Sequence, residues 1–252
     1  MAILNSDLYQ ISLNVARKDK KGRAFTVKEF NRYLWFTSNN YYDYHYQQFR
    51  KKKVLPSPLE VFRVLAASVT VTTGVGSMPS TFSHLLGRPK WGAIPVAVLS
   101  DEQYNMKEDN AIMAPSSIRP ACRIYYDSTN SVWKGTFYPA ASFASQTVTI
   151  DYLKEPTQPI LDYYIDTDGA YVFLDAAETH TVVSGEVFPL ATTQPSVSST
   201  YTSTTAEMLW EDVDKENLLY NVLALAGITI DRPDLAQYFD AQKMITIQTE
   251  NN

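Results

Sequence analysis

The chain has 252 residues, which is long enough for one large domain or two small ones with a hydrophobic core. Hydrophobic residues make up 45% of it and charged residues 19%, a composition typical of a globular protein. No apolar run approaches the roughly 18 residues that a membrane span needs, so we expect no membrane insertion. The single cysteine, Cys122, excludes an internal disulfide and a multi-cysteine zinc site. The N-terminus lacks a basic region followed by an apolar stretch, so we also expect no secretory signal.

Charge is distributed unevenly along the chain. The net charge is −5, but residues 1–53 carry +7, whereas residues 54–200 and 201–252 carry −6 each. Such asymmetry can indicate contact with nucleic acid. It can also indicate that the two ends attract each other, within one chain or between neighbouring chains. Because the whole chain is acidic, we favour the second interpretation.

Two helices are predicted in the first 53 residues. The apolar stripe of the first contains Leu4, Leu8, Ile11 and Val15. This helix is expected to end near Gly22, which tolerates the positive φ of a helix terminus.

The second helix has a well-marked start. Thr26 and Glu29 have the spacing of a capping box, and Phe25 and Phe30 could form a hydrophobic staple around it. The expected helix covers residues 27–52. Alternation of tyrosines with polar residues over positions 42–47 would also fit a strand, but the caps and the length favour the helix.

The aromatic residues of this helix fall into two sectors at about 100° per residue. The first sector, predicted to pack within the chain's own helices, contains Phe30, Tyr33, Leu34, Tyr41 and Tyr44. The second sector, a candidate subunit interface that could instead cover the β-rich region, contains Trp35, Tyr42, Tyr46 and Phe49. Tyrosine and tryptophan suit such surfaces because they bury a large area and keep a polar group. The sequence leaves open which sector meets a neighbour.

Four consecutive cations end the helix. They are candidates for contact with phosphate or with an acidic partner, and they are Arg50, Lys51, Lys52 and Lys53. Cations at a helix C-terminus also stabilise the helix dipole, by about 0.3–1 kcal/mol each. Aromatic side chains beside cations can stack on bases, so a nucleic-acid site on this helix is a second hypothesis.

Residues 54–205 are predicted to be β-rich. Hairpins are expected around residues 128–131 and at the turn formed by Asp168 and Gly169. A strand that contains Val148, Ile150 and Tyr152 on one face is expected before Pro156. Residues 191–205 contain ten Ser or Thr and are predicted to be an extended linker or an edge segment, not a core element.

The last fifty residues return to a helical pattern. Asp214 is a candidate cap for a helix that Gly227 would end, and Asp231 is a candidate cap for another. The predicted fold class is therefore α+β, with N- and C-terminal helices packed as one helical bundle and a β-rich insertion. The predicted domains are residues 1–53 together with 206–252, and residues 54–205.

Catalytic patterns are lacking. The three histidines, His45, His84 and His180, have no spacing typical of a metal or nucleophile motif. The DTDG sequence at 166–169 lacks the further ligands of a calcium loop. We therefore predict a protein that is not an enzyme, with no catalytic residue, no metal and no cofactor.

Three stretches together resemble a known group of proteins. They are the aromatic helix at 30–49, the run from VAVLSDEQYN to DYLKEPTQP at 96–159, and MLWEDVDKENLLYNVLALAGITIDRPDLAQYF at 208–239. The sequence resembles virion structural proteins of crAss-like tailed bacteriophages that form rings of the head–tail connector and short tail. The motifs are loose structural ones that span most of the chain.

The resemblance implies a virion location at the head–tail junction or tail, after synthesis in the host cytoplasm. It implies a homo-oligomeric ring, expected to contain twelve copies, next to the portal and to neighbouring ring or tail proteins. Phage DNA would pass through the lumen without sequence-specific contact. An alternative is a glycan-binding tail module that uses Trp91, Trp133 and Tyr171.

Overall fold

The computed structural model describes residues 2–18, 26–108 and 114–226. Contacts divide the chain into two compact units. The first unit comprises Met1–Val61 and Pro156–Asn252, and the second comprises Phe62–Glu155.

The described residues form four α-helices: α1 Asn5–Lys18, α2 Val27–Lys52, α3 Asp101–Glu108 and α4 Lys215–Leu225. Short 3-10 helices cover Ser57–Phe62, Ala140–Phe143 and Asp212–Asp214. The strands of the first unit are β1 Ala2–Ile3, β11 Asp162–Ile165, β12 Tyr171–Leu174, β13 Thr179–Thr181, β14 Thr200–Thr202 and β15 Met208–Glu211. Those of the second unit are β2 Arg63–Thr72, β3 Val75–Ser77, β4 Phe82–Leu85, β5 Lys90–Trp91, β6 Ile94–Pro95, β7 Ala97–Val98, β8 Ala121–Asp127, β9 Val132–Tyr138 and β10 Ser145–Lys154.

The second unit is a mixed sheet that forms a nearly closed barrel. Its strand order is β6-β5-β10-β2-β3-β9-β8-β7, with β4 also paired to β10. All pairs are antiparallel except β7 with β8. The register between β2 and β10 shifts between Ile150 and Tyr152, where the Asp151 carboxylate accepts the Ala66 N–H at 2.7 Å. Such a shift bends a strand, which favours closure of the sheet.

Alternation of side chains builds the barrel core. On β10, Val148, Ile150 and Tyr152 are buried, as the sequence predicted. On β2, Val69 and Val71 are buried in the same core, and Val69 lies opposite Val148. Successive side chains of a strand point to opposite faces, so the intervening polar residues remain outside the core.

The first unit combines helices with small sheets. β1 pairs with β15, β11 with β12 and β13 with β14. Tyr9 of α1 lies between Phe30 of α2 and Phe173 of β12, at centroid distances of 5.0 and 5.4 Å. Trp210 of β15 is fully buried against α2, where it donates to the Ser38 hydroxyl at 2.9 Å.

The predicted fold class is wrong. The described chain is mainly a mixed sheet that forms a nearly closed barrel, with few helices, and its N- and C-terminal helices do not make a helical bundle. α4 does contact α1 and α2. However, strand residues such as Trp210 and Phe173 cover the apolar faces that the prediction assigned to helix–helix packing. A stripe of apolar residues shows that a helix is covered on one face, but it does not identify the covering element.

Several local predictions are confirmed. The capping box of α2 is present: the Thr26 hydroxyl accepts the Glu29 N–H at 3.2 Å, and the Glu29 carboxylate accepts the Thr26 N–H at 2.8 Å. The hairpins β8–β9 and β11–β12 occur where expected. By contrast, part of the predicted Ser/Thr-rich linker is a strand, because Thr200–Thr202 form β14 and pair with β13.

Other predictions concern the chain termini. Asp214 occupies the cap position of α4, but its side chain does not cap the helix and instead accepts the Tyr41 hydroxyl at 2.9 Å. The predicted roles of Gly22, Phe25, Gly227 and Asp231 lie outside the described residues. Among the helices described, none is both long and apolar enough to cross a membrane.

Candidate functional site

A groove beside the first half of α2 is the candidate site of the first unit. Its volume is about 560 Å³, within the usual range of ligand pockets. It is lined by Lys28, Asn31, Arg32, Trp35, Phe36, Gln158, Ile160, Leu190 and Thr204. These described residues include two cations, two aromatic rings and two aliphatic side chains, but no carboxylate. The groove is therefore suited to an apolar group that carries negative charge.

The aromatic side of the groove is open to solvent. Phe36 is 44% exposed and Trp35 is half-buried. The Arg32 guanidinium lies 5.7 Å from the centroid of the Phe36 ring, in a cation–π contact. Lys28 lies one turn before Arg32 and is also exposed. In the part of the chain that the structure describes, neither cation is in an ion pair.

Two buried asparagines fix the floor of the groove. The Asn31 amide exchanges two hydrogen bonds with the Leu161 backbone, donating to its carbonyl at 3.1 Å and accepting its N–H at 2.9 Å. The Asn5 amide donates to the carbonyls of Ile160 and Ala206 at 3.2 and 2.8 Å. Because these bonds tie the 160–161 segment to α1 and α2, Ile160 is held in place at the groove.

The buried carboxylate of Asp162 holds Thr204, another residue that lines the groove. One Asp162 oxygen accepts the Tyr201 hydroxyl at 2.8 Å, and also the backbone N–H and the hydroxyl of Thr204 at 2.8 and 3.0 Å. Burial and this carboxylate raise the pKa of Tyr201 to about 12, so its hydroxyl remains a donor at all physiological pH values. Thr204 is thereby held at the groove.

The segment that contains Leu190 is held by two hydrogen bonds between the Gln194 side-chain amide and the Phe188 backbone. Gln194 accepts the Phe188 N–H at 2.9 Å and donates to the Phe188 carbonyl at 2.8 Å. Phe188 is fully buried in a cluster with Leu174 and Val182. The groove is thus lined by segments that side-chain hydrogen bonds hold in place, which lowers the entropic cost of binding.

The first predicted sector of α2 is placed mainly inside the unit. Phe30 and Leu34 are fully buried, whereas Tyr33 and Tyr41 are half-buried. Tyr41 packs edge-on against Trp210 at 4.9 Å. Tyr44 is 39% exposed.

The residues of the second sector, predicted as a candidate subunit interface, differ in how far they are buried. Trp35, Tyr46 and Phe49 are half-buried, and the rings of the last two lie 6.2 Å apart. Tyr42 is only 3% exposed, so the chain's own residues already cover it. Of this sector, only Trp35 lines the groove.

The buried face of α2 lies between the two predicted sectors. At about 100° per residue, Val27, Asn31, Ser38 and His45 fall near its centre, and all four are buried. The two aromatic sectors are therefore the flanks of one face. Sequence reasoning passed over this centre because most of its residues are polar or small.

The four cations that end α2 are all exposed. Lys53 adopts a left-handed conformation, with φ of 60°, and its N–H bonds to the Phe49 carbonyl at 2.8 Å, which ends the helix. The structure therefore places Arg50, Lys51, Lys52 and Lys53 at a solvent-facing end of α2, away from the groove-lining residues.

Of the nine residues that line the groove, sequence reasoning proposed only Trp35 as a site residue. Phe36 lies outside both predicted sectors, and Ile160 and Leu190 are isolated apolar residues in irregular segments. The only signal for Phe36 in the sequence is that it is a hydrophobic residue on the otherwise polar side of α2. The aromatic residues Trp91 and Trp133, which were considered for glycan binding, pack against the barrel core of the second unit.

Titratable side chains outside the groove were compared for their ability to hold a metal or to react. No group of three His, Cys, Asp or Glu side chains among the described residues could hold a metal. His180 and Glu186 form a pair at 2.9 Å, and the Tyr164 ring stacks on the imidazole at 4.3 Å. Burial raises the pKa of Cys122 to about 12, which keeps it a thiol. The groove is thus the feature best suited to binding.

No protein-family model matches the sequence, and no curated protein is significantly similar to it.

Proposed function

We propose that this protein is a non-catalytic virion structural protein, a subunit of an oligomeric head–tail connector or tail ring of a tailed phage. The ring would join the portal to the tail and let DNA pass. The observation that carries the proposal is the open aromatic groove beside α2, with Phe36 exposed and cations at its edge. An aromatic surface left open on a folded unit is typical of a protein–protein interface. The sequence resemblance supplies the class of assembly.

A ring requires two different surfaces on each subunit. Head-to-tail contacts are heterologous, and they close when the rotation between neighbours divides a full turn. The basic edge of the groove is one such surface, and the exposed acids of the β-rich segments offer an oppositely charged one. Twelve copies are the number that the resemblance implies, with the portal and neighbouring ring or tail proteins as further partners.

Electron microscopy and native mass spectrometry test this function. The purified chain, alone and mixed with its portal or with virions, is expected to form closed rings of a single copy number. Phe36→Ala should weaken assembly of the oligomeric ring, because it removes an exposed aromatic side chain of the groove and no core side chain. Asn40→Ala is the control, since Asn40 is exposed on the same helix. A chain that stays monomeric with every virion component would contradict the proposal.

Nucleic-acid contact is a second candidate, favoured by the four exposed cations at 50–53. They could touch phosphates of DNA in the lumen without reading its sequence. A gel shift at low salt tests this, with all four residues changed to alanine as the comparison. Loss of binding would support the contact. Binding by neither chain, or equal binding by both, would exclude these cations.

A further inference from the structure

We propose that the groove beside α2 receives the tip of the β11–β12 hairpin, residues 167–171, from a second copy of this chain. This inference rests on the proposed ring, and it names the contact that joins adjacent subunits. The groove and the hairpin both belong to the first unit. Hairpin-tip residues are not among those that line the groove, so the chain's own tip does not fill it.

The hairpin tip has a fixed shape. One Asp166 carboxylate oxygen accepts the N–H groups of Asp168 and Ala170, at 2.9 and 2.8 Å. The Gly169 N–H bonds to the Asp166 carbonyl at 3.0 Å, and Gly169 has a φ of +81°, which glycine adopts without strain. A tip organised in this way can insert with little loss of conformational entropy.

The tip presents an acid beside an aromatic ring. Asp168 is exposed, and Tyr171 is 55% exposed although its ring contacts Tyr163 at 5.3 Å. In the described part of the chain, Asp168 is in no ion pair. Among the described residues, the Asp168 charge is therefore uncompensated, and more than half of the Tyr171 side chain remains open to a partner.

The groove offers the complementary groups. Arg32 and Lys28 carry the positive charge that Asp168 would meet, and Phe36 offers the aromatic surface that Tyr171 would cover. Removal of water from these charges strengthens their attraction, because the local dielectric constant falls. Complementary charges also fix the orientation of the neighbour and reject the reverse contact.

A head-to-tail assembly follows from this pairing. Each copy gives its tip to one neighbour and receives the tip of the other in its groove, so the contact is heterologous. Closure of such a series of contacts gives a ring. An isolated pair of chains would leave one groove and one tip unoccupied, which favours growth until the ring closes.

Cysteine cross-linking tests the contact in the full-length chain. Arg32→Cys and Asp168→Cys chains are mixed and treated with a short bismaleimide. The only native cysteine, Cys122, is buried and remains a thiol. A heterodimer is expected from the mixture, with at least about tenfold less dimer from either chain alone. Asp212→Cys, an exposed acid of the same unit, replaces Asp168→Cys in the control mixture. Equal cross-linking in the two mixtures would overturn the proposal.

Charge reversal gives an independent test. Arg32→Glu and Asp168→Lys should each weaken assembly by roughly tenfold or more, because each places like charges in contact. The double variant should regain most of the affinity. Circular dichroism checks that each variant is folded. If the wild-type chain assembles and neither reversal alters its size distribution, the hairpin contact is refuted while the ring stands. If the wild-type chain never assembles, the ring and the contact both fail.

Discussion

The Asn31 side-chain amide pairs with the backbone of Leu161 as a neighbouring strand would. It donates to the carbonyl at 3.1 Å and accepts the N–H at 2.9 Å. Asn31 and Leu161 are 130 positions apart, and both are buried. The pair thus satisfies both backbone groups of Leu161, the residue just before β11, and it holds the neighbouring Ile160 at the groove.

Removal of this amide should destabilise the first unit. Asn31→Ala leaves the Leu161 N–H and carbonyl buried without their partner, at a cost of about 1–3 kcal/mol for each group. Urea unfolding followed by circular dichroism measures the loss. Asn40→Ala, on the exposed side of the same helix, should change the free energy of unfolding by less than about 0.5 kcal/mol. Equal losses in the two variants would show that the pair has no structural role.

The Trp210–Ser38 bond should behave as a coupled pair. The indole N–H donates to the Ser38 hydroxyl at 2.9 Å, and both side chains are buried. Ser38→Ala should cost about 1–3 kcal/mol, because the N–H then lacks an acceptor. Trp210→Phe removes that donor, so Ser38→Ala should cost less in the Trp210→Phe background. A double-mutant cycle by denaturant unfolding measures the coupling. Additive losses would contradict it.

His45 should make the protein sensitive to acid. It is 1% exposed between the rings of Tyr41 and Tyr44, and burial lowers its pKa from 6.5 to about 4. Between these two pH values the unfolded chain binds a proton that the folded chain does not. The stability from neutral His45 is therefore present above pH 6.5 and is lost as the pH falls towards 4.

The corresponding measurement compares His45→Phe with the wild type from pH 7 to pH 4. The wild type should lose stability relative to the variant, by at most about 1.4 kcal/mol per pH unit, the limit for one proton. Burial raises the pKa values of Asp214 and Glu207, and their contributions have the opposite sign. Both acids are present in both chains, so they cancel in the difference. Parallel pH profiles would contradict the assignment to His45.

Two glycines of the second unit should differ in their tolerance of alanine. Gly74 and Gly92 have φ of +81° and +59°, so alanine is strained at both, by roughly 1–2 kcal/mol. A Cβ at Gly74 would also lie 2.9 Å from the Ala140 Cβ and 3.1 Å from the Phe137 carbonyl, whereas one at Gly92 would meet nothing within 4 Å. Gly74→Ala should therefore cost about 1–3 kcal/mol more, as measured by thermal unfolding. Equal costs would refute the close contact.

Sequence reasoning succeeded where the determinants are local. The capping box of Thr26 and Glu29 fixed the start of α2, and the turn at Asp168 and Gly169 fixed the β11–β12 hairpin. Capping and turn formation depend on residues within about four positions of each other, so a short window contains all the required information. The alternation on β10 is likewise local.

The groove could not be predicted in this way. Trp35 was proposed as an interface residue and does line the groove, but Ile160, Leu190 and Thr204 come from segments more than 120 positions away. Each of these residues is unremarkable in its own window. The long-range amide bonds of Asn5 and Asn31, which bring the segments together, leave no periodic pattern in the sequence.

The sequence by itself determined the start of α2, the β8–β9 and β11–β12 hairpins and the alternation on β10, because caps, turns and side-chain periodicity act over a few residues. It did not predict α3 within the β-rich region or β15 within the last fifty residues. Only the tertiary structure decided which element covers each apolar face. At the centre of the buried face of α2, Ser38 accepts a hydrogen bond from a strand tryptophan, and Asn31 bonds to an irregular backbone segment. Burial of an apolar face is favourable whatever the covering element is, since the hydrophobic effect has no direction. The choice between a helical bundle and a sheet therefore depends on long-range hydrogen bonds and strand pairing that no local pattern specifies.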